Sequence, residues 1–392
     1  MAISQEYYSM DFSLNGVTAE LVPEEISFVI SDSIYSLYNY GKVIIQDSTG
    51  GYQEYFATTE GAKFSINYGS IEKTNACPFV IKDDHIDKMD TAGLLAGSVG
   101  INIVNKWYID QKIKSKSYKA PIHSIINSIV SMAGFASLEI EATGNDDYWY
   151  QMMTTDAKFI KEMLLPNAYS NSSETPFYAY ITNDNIFHLK SLKSMMKSNP
   201  TTTIKYNIPS KDDTDNDFTL QVRRWHQSSD KHRKFLNRNI YKISRTDGTL
   251  VESSDSIRSY PPNNAESIPI MNHGDQDTGY INLGFDRTES GASQNLDGEI
   301  INSQRDSIFL ERFLLTYPLN PNLHSGETIQ FNVYTADNQR EILSPRHSGK
   351  YVIESCEHLW DRESRRGSTK LIIGRKYIGS VPSTYVIKPL LI

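Results

Sequence analysis

Cys356 and His358, near the carboxyl end, have the residue types of a nucleophile and its base. Residues two apart on a strand point to the same side, so a strand would place both on one face with Glu354 and Trp360. Catalysis would also need an orienting partner and oxyanion donors, and the sequence identifies neither. A small half-buried cysteine is the common case. We therefore expect a structural thiol and assign no catalytic residue.

Ligand motifs are incomplete. The alternating carboxylates of Asp213 to Asp217 are typical of a calcium loop, but Phe218 and Arg224 occupy the positions that need glycine and glutamate. This run is expected to be an acidic surface loop. The nine histidines show no metal-binding spacing, and the loosely spaced glycines at 93, 97 and 100 lack the lysine of a phosphate loop. We predict no metal and no cofactor.

Two basic stretches stand out in the chain, and both are candidate interface patches. Their cations suit an acidic neighbouring subunit or nucleic acid passing nearby. Protein contact or solvated turns are favoured, because acidic residues flank the first stretch. The first contains Arg223, Arg224, Lys231 and Arg233, and the second contains Arg362, Arg365 and Arg366, followed by Lys370, Arg375 and Lys376.

Composition limits the class of protein. A chain of 392 residues exceeds the usual size of one hydrophobic core, so several domains are expected. Its 39% hydrophobic and 22% charged residues indicate a folded protein. The net charge of -8 opposes general nucleic-acid binding. Two cysteines far apart give no disulfide framework, and we expect neither a signal peptide nor a membrane span.

The first part of the chain, residues 1–112, is predicted to be a β-barrel domain. Short apolar runs such as Ile26–Ile30, Gly41–Ile45 and Gly100–Val104 indicate six to eight strands, separated by turn residues.

Residues 113–198 are predicted to be an α+β insertion. Its signals are a helix from Pro121 to Gly134 with Met132 on the apolar face, a helix at 155–165, and a hairpin at 177–189.

A second β-barrel is predicted from residues 199–250 and 300–392, so that the fold class is mainly β with an α+β insertion. The expected strands include 202–206, 218–222, 239–243, 328–334, 350–356 and 369–373, with another at 383–387. Helical spacing of Ile308, Phe309, Phe313 and Leu314 predicts a helix at 303–316 that ends before Pro318. The polar segment 251–299 is expected to be a long loop without regular structure.

The carboxyl-terminal part carries a β signature. A strand that begins Gly349-Lys350-Tyr351-Val352 runs into His358 and Trp360, and a second strand runs from Thr369 through Leu371 to Arg375. In this order of elements the chain resembles the baseplate hub family of contractile-tailed phages, which the spike proteins of type VI secretion share. The preceding barrel, insertion and interrupted second barrel follow the same order.

The resemblance implies a structural protein rather than an enzyme. It implies a homotrimer whose twin tube-like barrels form a pseudo-sixfold ring between the sixfold tail tube and the threefold central spike. The implied partners are the spike, the tube or tube-initiator protein, the tape measure protein and surrounding baseplate proteins, with DNA only in transit. No needle or lysozyme region follows, so the spike is expected to be a separate chain. The implied location is the virion tail baseplate, assembled in the bacterial host cytoplasm.

Two other functions remain open. The 24 tyrosines and the polar segment suit a receptor- or glycan-binding tail module. A peptidoglycan hydrolase is disfavoured, because no paired-carboxylate or cysteine–histidine motif lies in a compact domain.

Overall fold

A computed structural model gives the fold of this chain. It describes residues 8–14, 17–20, 25–47, 62–70, 73–87, 97–144, 147–170, 176–207, 221–225, 237–243, 250–256, 267–268, 280–285, 305, 309, 311–337, 340–344, 347–375 and 378–379. Strands dominate these residues, so the prediction of a mainly β fold is confirmed.

In the part that the structure describes, the first β region has seven strands, within the predicted six to eight. Alternation in β3 places Ile26, Phe28 and Ile30 in a core that they share with residues of the neighbouring strands. The strands are β1 (Tyr8–Leu14), β2 (Val17–Glu20), β3 (Ile26–Ser33), β4 (Tyr40–Asp47), β5 (Lys63–Ser70), β6 (Lys73–Asp87) and β7 (Gly97–Val104).

Within the described residues, the insertion and the helix that leads into it contain four short helical segments and two small sheets. Helix α1 (Lys106–Ile109) leads into β8 (Lys114–Ala120), α2 (Ile122–Val130), β9 (Ser137–Ile140) and β10 (Asp147–Thr154). Helix α3 (Asp156–Phe159) continues as a π-helical turn (Ile160–Leu164) and a 3-10 turn (Leu165–Asn167). The predicted hairpin is formed by β11 (Phe177–Ile181) and β12 (Ile186–Ser191), and α4 (Leu192–Lys197) follows.

Both predicted helices of the insertion are confirmed, with one error. The apolar face of α2 packs Ile122, Ile125 and Ile126 into the core of the insertion. Met132, predicted to continue that face, is 90% exposed because the helix has already ended in a turn. In the second helix, the Thr155 hydroxyl accepts a hydrogen bond from Lys158 N and caps the first turn.

The second β region joins the first. Its strands are β13 (Thr202–Asn207), β14 (Gln221–Trp225), β19 (Glu311–Pro318), β20 (Thr328–Asp337), β21 (Arg340–Leu343), β22 (Gly349–Asp361) and β23 (Arg366–Arg375). Antiparallel pairing of β22 with β3 connects the two regions into one 14-stranded sheet. Its main path runs β14-β19-β23-β22-β3-β4-β7-β6-β5-β1-β2, and β13, β20 and β21 branch from β22.

The predicted helix at 303–316 is wrong over its described part, since Glu311–Pro318 is a strand. Phe313 and Leu315 alternate into the core of the second β region, while β14 and β23 pair with the two edges of the strand. The helical spacing of the apolar residues coincided with a strand that is buried on both faces. Pairing on both edges then determined the conformation.

The polar segment 251–299 contains regular structure, contrary to expectation. Strands β15 (Asn237–Ile243), β16 (Leu250–Ser256) and β18 (Tyr280–Phe285) form a three-stranded sheet, and β17 (Ser267–Ile268) pairs with β24 (Ile378–Gly379). The serines and acids of β16 form no alternating apolar pattern, so the sequence did not predict this strand. The strand predicted at 383–387 and the acidic run Asp213–Asp217 lie outside the described residues.

Among the described residues, no helix is long and apolar enough to cross a membrane.

Candidate functional site: a buried polar junction

The carboxylate of Asp32 joins the three parts of the fold. Asp32 lies on β3 and is buried, with 1% of its surface exposed. Its Oδ1 accepts a hydrogen bond from Ser325 N at 2.9 Å, in the loop before β20. Its Oδ2 accepts one from Asn183 N at 3.1 Å, in the turn between β11 and β12. One side chain of the first β region therefore binds the backbone of both the insertion and the second β region.

His324 supplies the positive charge of this junction. Its Nδ1 lies 3.5 Å from Asp32 Oδ2, and its Nε2 lies 3.9 Å from Asp184 Oδ2. Burial opposes the imidazolium, but Asp32, Asp184 and Glu327 outweigh it and raise the pKa of His324 to about 9. At neutral pH the junction therefore contains a buried ion pair.

Gly326 lets the same loop pass the insertion. Its φ of +82° lies in the left-handed region, and a Cβ there would overlap the hydroxyl of Tyr180. Gly326 N donates to Ile353 O at 2.8 Å, which ties the loop to β22.

The Cys356–His358 pair lies beside this junction and is part of the core. Both side chains are fully buried, and Cys356 Sγ lies 3.4 Å from His358 Nε2. His358 Nε2 is 3.1 Å from Leu323 O, so this nitrogen carries the proton, and Nδ1 accepts from the Thr369 hydroxyl at 3.2 Å. The histidine thus has a partner on each nitrogen.

The electrostatics of this pair oppose a nucleophilic role. Burial lowers the pKa of His358 to about 4, so the imidazole is neutral. Burial also raises the pKa of the Cys356 thiol well above its ordinary value, with Asp32 and Glu327 adding to the effect. A neutral thiol in a closed core supports the interpretation that Cys356 is structural.

Glu354 does not share the face of Cys356 and His358 that the sequence predicted. The register of β22 shifts between Ile353 and Ser355, where a bulge adds a residue. Ile353 and Cys356 consequently enter the same core cluster, and Glu354 points to the other face.

Adjacent residues of β19 form two buried ion pairs on opposite faces of the sheet. On one face, Arg375 Nε donates to Glu311 Oε2 at 2.7 Å, and the Tyr351 hydroxyl donates to the same oxygen at 2.9 Å. His347 Nδ1 lies 2.7 Å from Glu311 Oε1. Burial raises the pKa of Glu311, but these partners outweigh it and the net pKa is below the ordinary value.

On the other face, Arg312 binds Glu354 with two hydrogen bonds, of 2.6 and 2.7 Å. The Tyr35 hydroxyl, on the loop after β3, donates to Glu354 at 2.5 Å. Gly374 lies opposite, and a Cβ there would overlap Glu354 Oε1. The Arg312–Glu354 pair lies within the second β region, and Tyr35 links it to the first β region.

The signature residues therefore have structural positions. Tyr351 and Arg375 surround Glu311, and Thr369 holds His358. The remaining members lie in the core or at the start of β22: Val352, Leu371 and Trp360 are buried, and Gly349 begins the strand with a φ of +146°. Arg375, grouped with the second basic stretch from sequence, belongs to this interior instead.

The structure places the basic stretches as follows. Arg223 and Arg224 lie on β14, whereas Lys231 and Arg233 lie outside the described residues. Arg362, Arg365 and Arg366 lie at the turn from β22 to β23. Asp361 shapes that turn by accepting hydrogen bonds from the backbone of Glu363 and Ser364. An interface role for either stretch stays a prediction.

No group of three or more His, Cys, Asp or Glu side chains suited to a metal ion occurs in the part of the chain that the structure describes. Asp32, Glu311, Arg312 and His324 were not identified from sequence. The opposite charges at 311 and 312, within an otherwise apolar run, are a local signal that could have found two of them.

Comparison with known proteins finds similarity in structure alone. No protein-family model matches the chain. No curated protein matches its sequence.

Solved structures share the fold over nearly the whole chain. A tail protein from Neisseria meningitidis MC58 matches with a TM-score of 0.57 and 9% identity, covering 95% of this chain and 98% of that one. The 43 kDa tail protein of prophage MuSo2 from Shewanella oneidensis matches with a TM-score of 0.57 and 8% identity, covering 94% and 98%. A chain of the lidded Francisella PdpA-VgrG complex matches with a TM-score of 0.51 and 10% identity, covering 96% of this chain and 54% of that one. The chain therefore shares its fold with two tail proteins of similar size, one of them from a prophage.

Proposed function

We propose that this chain is a structural hub subunit of a phage tail baseplate or a related injection machine. The observation that carries the proposal is the full-length structural match to two tail proteins, one of them from a prophage, each covered to 98%. A match over the whole length includes both β regions and the insertion, so it concerns the architecture rather than one common module.

The open sheet supports assembly into a ring. In the described part of the chain, β14 and β2 lie at the two ends of the sheet path, and each pairs along one edge only. Unpaired edges invite pairing with other chains, and closed symmetric assembly is one way to use them. We propose that three copies close a ring in which the two β regions of each subunit provide six similar positions. The domain division at 112, 198, 250 and 299 belongs to this proposal.

A ring of this symmetry would adapt a sixfold tail tube to a threefold central spike. The proposed partners are the spike, the tube or tube-initiator protein, the tape measure protein and surrounding baseplate proteins. DNA would pass through the channel without being bound, in keeping with the net charge of -8. The proposed location is the virion tail, with assembly in the host cytoplasm.

The buried junction supports a mechanical role. The ion pair of Asp32 with His324 joins the first β region to the second. Tyr35, after β3, joins the first β region to the Arg312–Glu354 ion pair of the second. Buried charge pairs require specific geometry, and removing one partner is strongly destabilising. They would hold the two β regions in a fixed relation while force passes through the subunit.

The test is assembly of the purified chain, alone and co-expressed with the spike protein of the same tail. Native mass spectrometry and negative-stain imaging are expected to show trimers and rings with a central hole. Monomers in both samples, with no ring, would refute the hub. Hits on a glycan array would favour the receptor-binding alternative, and a cleared zone in a peptidoglycan zymogram would favour the hydrolase.

A further inference from the structure

Strand β8 of the insertion is exposed on both faces. Its first four residues, Lys114 to Ser117, are all exposed, although successive side chains of a strand point to opposite sides. Strand β10 pairs with β8 along one edge, and together they form a two-stranded sheet. Within the described residues no strand pairs with the other edge of β8. The backbone of β8 is therefore open to an added strand.

The outer face of β10 adds large apolar side chains to this surface. Tyr150 is 48% exposed, Met152 is 77% exposed and Met153 is 80% exposed. Ile113, just before β8, is 71% exposed. Tyrosine and methionine are enriched at protein interfaces. The side chains of an added strand would cover these exposed apolar residues.

The backbone of this surface is held in place from within. The register between β10 and β8 shifts after Gln151, and Met153 adopts a φ of +44°, which is uncommon for a residue with a Cβ. The Ser115 hydroxyl fixes this bulge by accepting a hydrogen bond from Met153 N at 3.2 Å. Two exposed methionines are thereby presented side by side.

The positive charge on and just before β8 favours an acidic partner. Lys112, Lys114, Lys116 and Lys119 are all exposed. Lys114 binds the buried Asp156, whereas no ion pair joins Lys112 or Lys116 to a carboxylate among the described residues. An acidic segment beside β8 would supply the missing carboxylates.

We propose that β8 accepts an extended acidic segment of a partner protein as an added strand. The backbone of β8 would form the hydrogen bonds, and Lys112 and Lys116 would pair with carboxylates of the segment. The exposed Tyr150, Met152 and Met153 of β10 would contact the partner beyond the edge. This interaction goes beyond the proposed hub role, and it does not depend on ring formation.

The first test measures binding of labelled eight-residue peptides to the full chain by fluorescence anisotropy. A peptide that alternates Asp and Val is expected to bind, and one that alternates Lys and Val is not. K112E/K116E should weaken binding of the acidic peptide at least about tenfold, because two attractive charges become repulsive. The same variant should bind the basic peptide instead. The matched control K197E/K205E makes the same charge change at two exposed lysines elsewhere and should bind the acidic peptide as the unmodified chain does.

The second test separates strand addition from simple charge attraction. Two acidic peptides are N-methylated at the odd or at the even backbone nitrogens, so that one of them cannot donate to β8. One should lose binding and the other should keep it. Equal binding of both, or equal weakening by K112E/K116E and K197E/K205E, would overturn the proposal. Concentration-dependent dimers of the chain that K112E/K116E abolishes would also overturn it, since the occupant would be a second copy.

Discussion

Removal of the Asp32 carboxylate should uncouple the three parts of the fold. Asp32→Ala leaves Ser325 N and Asn183 N without an acceptor and leaves His324 without its counter-charge. An orphaned buried donor costs about 1–3 kcal/mol, so the two backbone donors together cost about 4 kcal/mol. Asp32 is one of three carboxylates that raise the pKa of His324 to about 9, so loss of this counter-charge lowers the stability further.

The assay is urea unfolding at pH 7, followed by circular dichroism and by tryptophan fluorescence. Asp32→Ala should lower the free energy of unfolding by at least about 4 kcal/mol. The control is Ser325→Ala in the same loop, because the buried Ser325 hydroxyl has no hydrogen-bond partner among the described residues. The control should cost less than about 1 kcal/mol. Equal effects of the two substitutions would refute the role of Asp32.

The pH dependence gives a second readout of the same ion pair. Since the folded-state pKa of His324 is raised, its contribution is complete below about pH 6.5 and is lost as the pH rises through about 9. The stability difference between the unmodified chain and Asp32→Ala should therefore shrink between pH 7 and pH 10. A constant difference over that range would mean that His324 is not charged in the folded protein.

Three other substitutions or reactions test the remaining contacts. Gly326→Ala should lower the free energy of unfolding by about 3 kcal/mol in urea titrations, because the added Cβ meets Tyr180 at a positive φ. Tyr351→Phe removes a hydrogen bond to the buried Glu311 and should cost about 2 kcal/mol in the same assay. A smaller loss would show that His347 and Arg375 stabilise the buried Glu311 carboxylate without the Tyr351 hydroxyl. The thiol of Cys356 should resist alkylation in the native chain and react after unfolding, as read by peptide mass spectrometry. Rapid native alkylation would contradict its burial.

Strand signals in the sequence were strong wherever one face of a strand is buried. Ile26, Phe28 and Ile30 alternate with less buried residues, so the strand could be predicted from its period alone. The strand at 311–318 could not, because partners pair with both of its edges and charged residues occupy both of its faces. Its spacing also fitted a helix. Non-local pairing decided between the two.

The buried junction had no local signal. Asp32 meets Asn183 and Ser325, which are 151 and 293 positions away in the chain. Nothing in the neighbourhood of an isolated aspartate shows such partners. Cys356 and His358 were visible because they are close in sequence, but their burial, which decides their chemistry, depends on the whole sheet.

A cryo-electron microscopy reconstruction of the assembled tail tip tests the hub proposal most directly. Three copies of the chain are expected around the axis, between the tube and the spike, with sheet edges paired between neighbouring subunits. Copies at the periphery of the baseplate, or a position on receptor-binding fibres, would contradict the proposal.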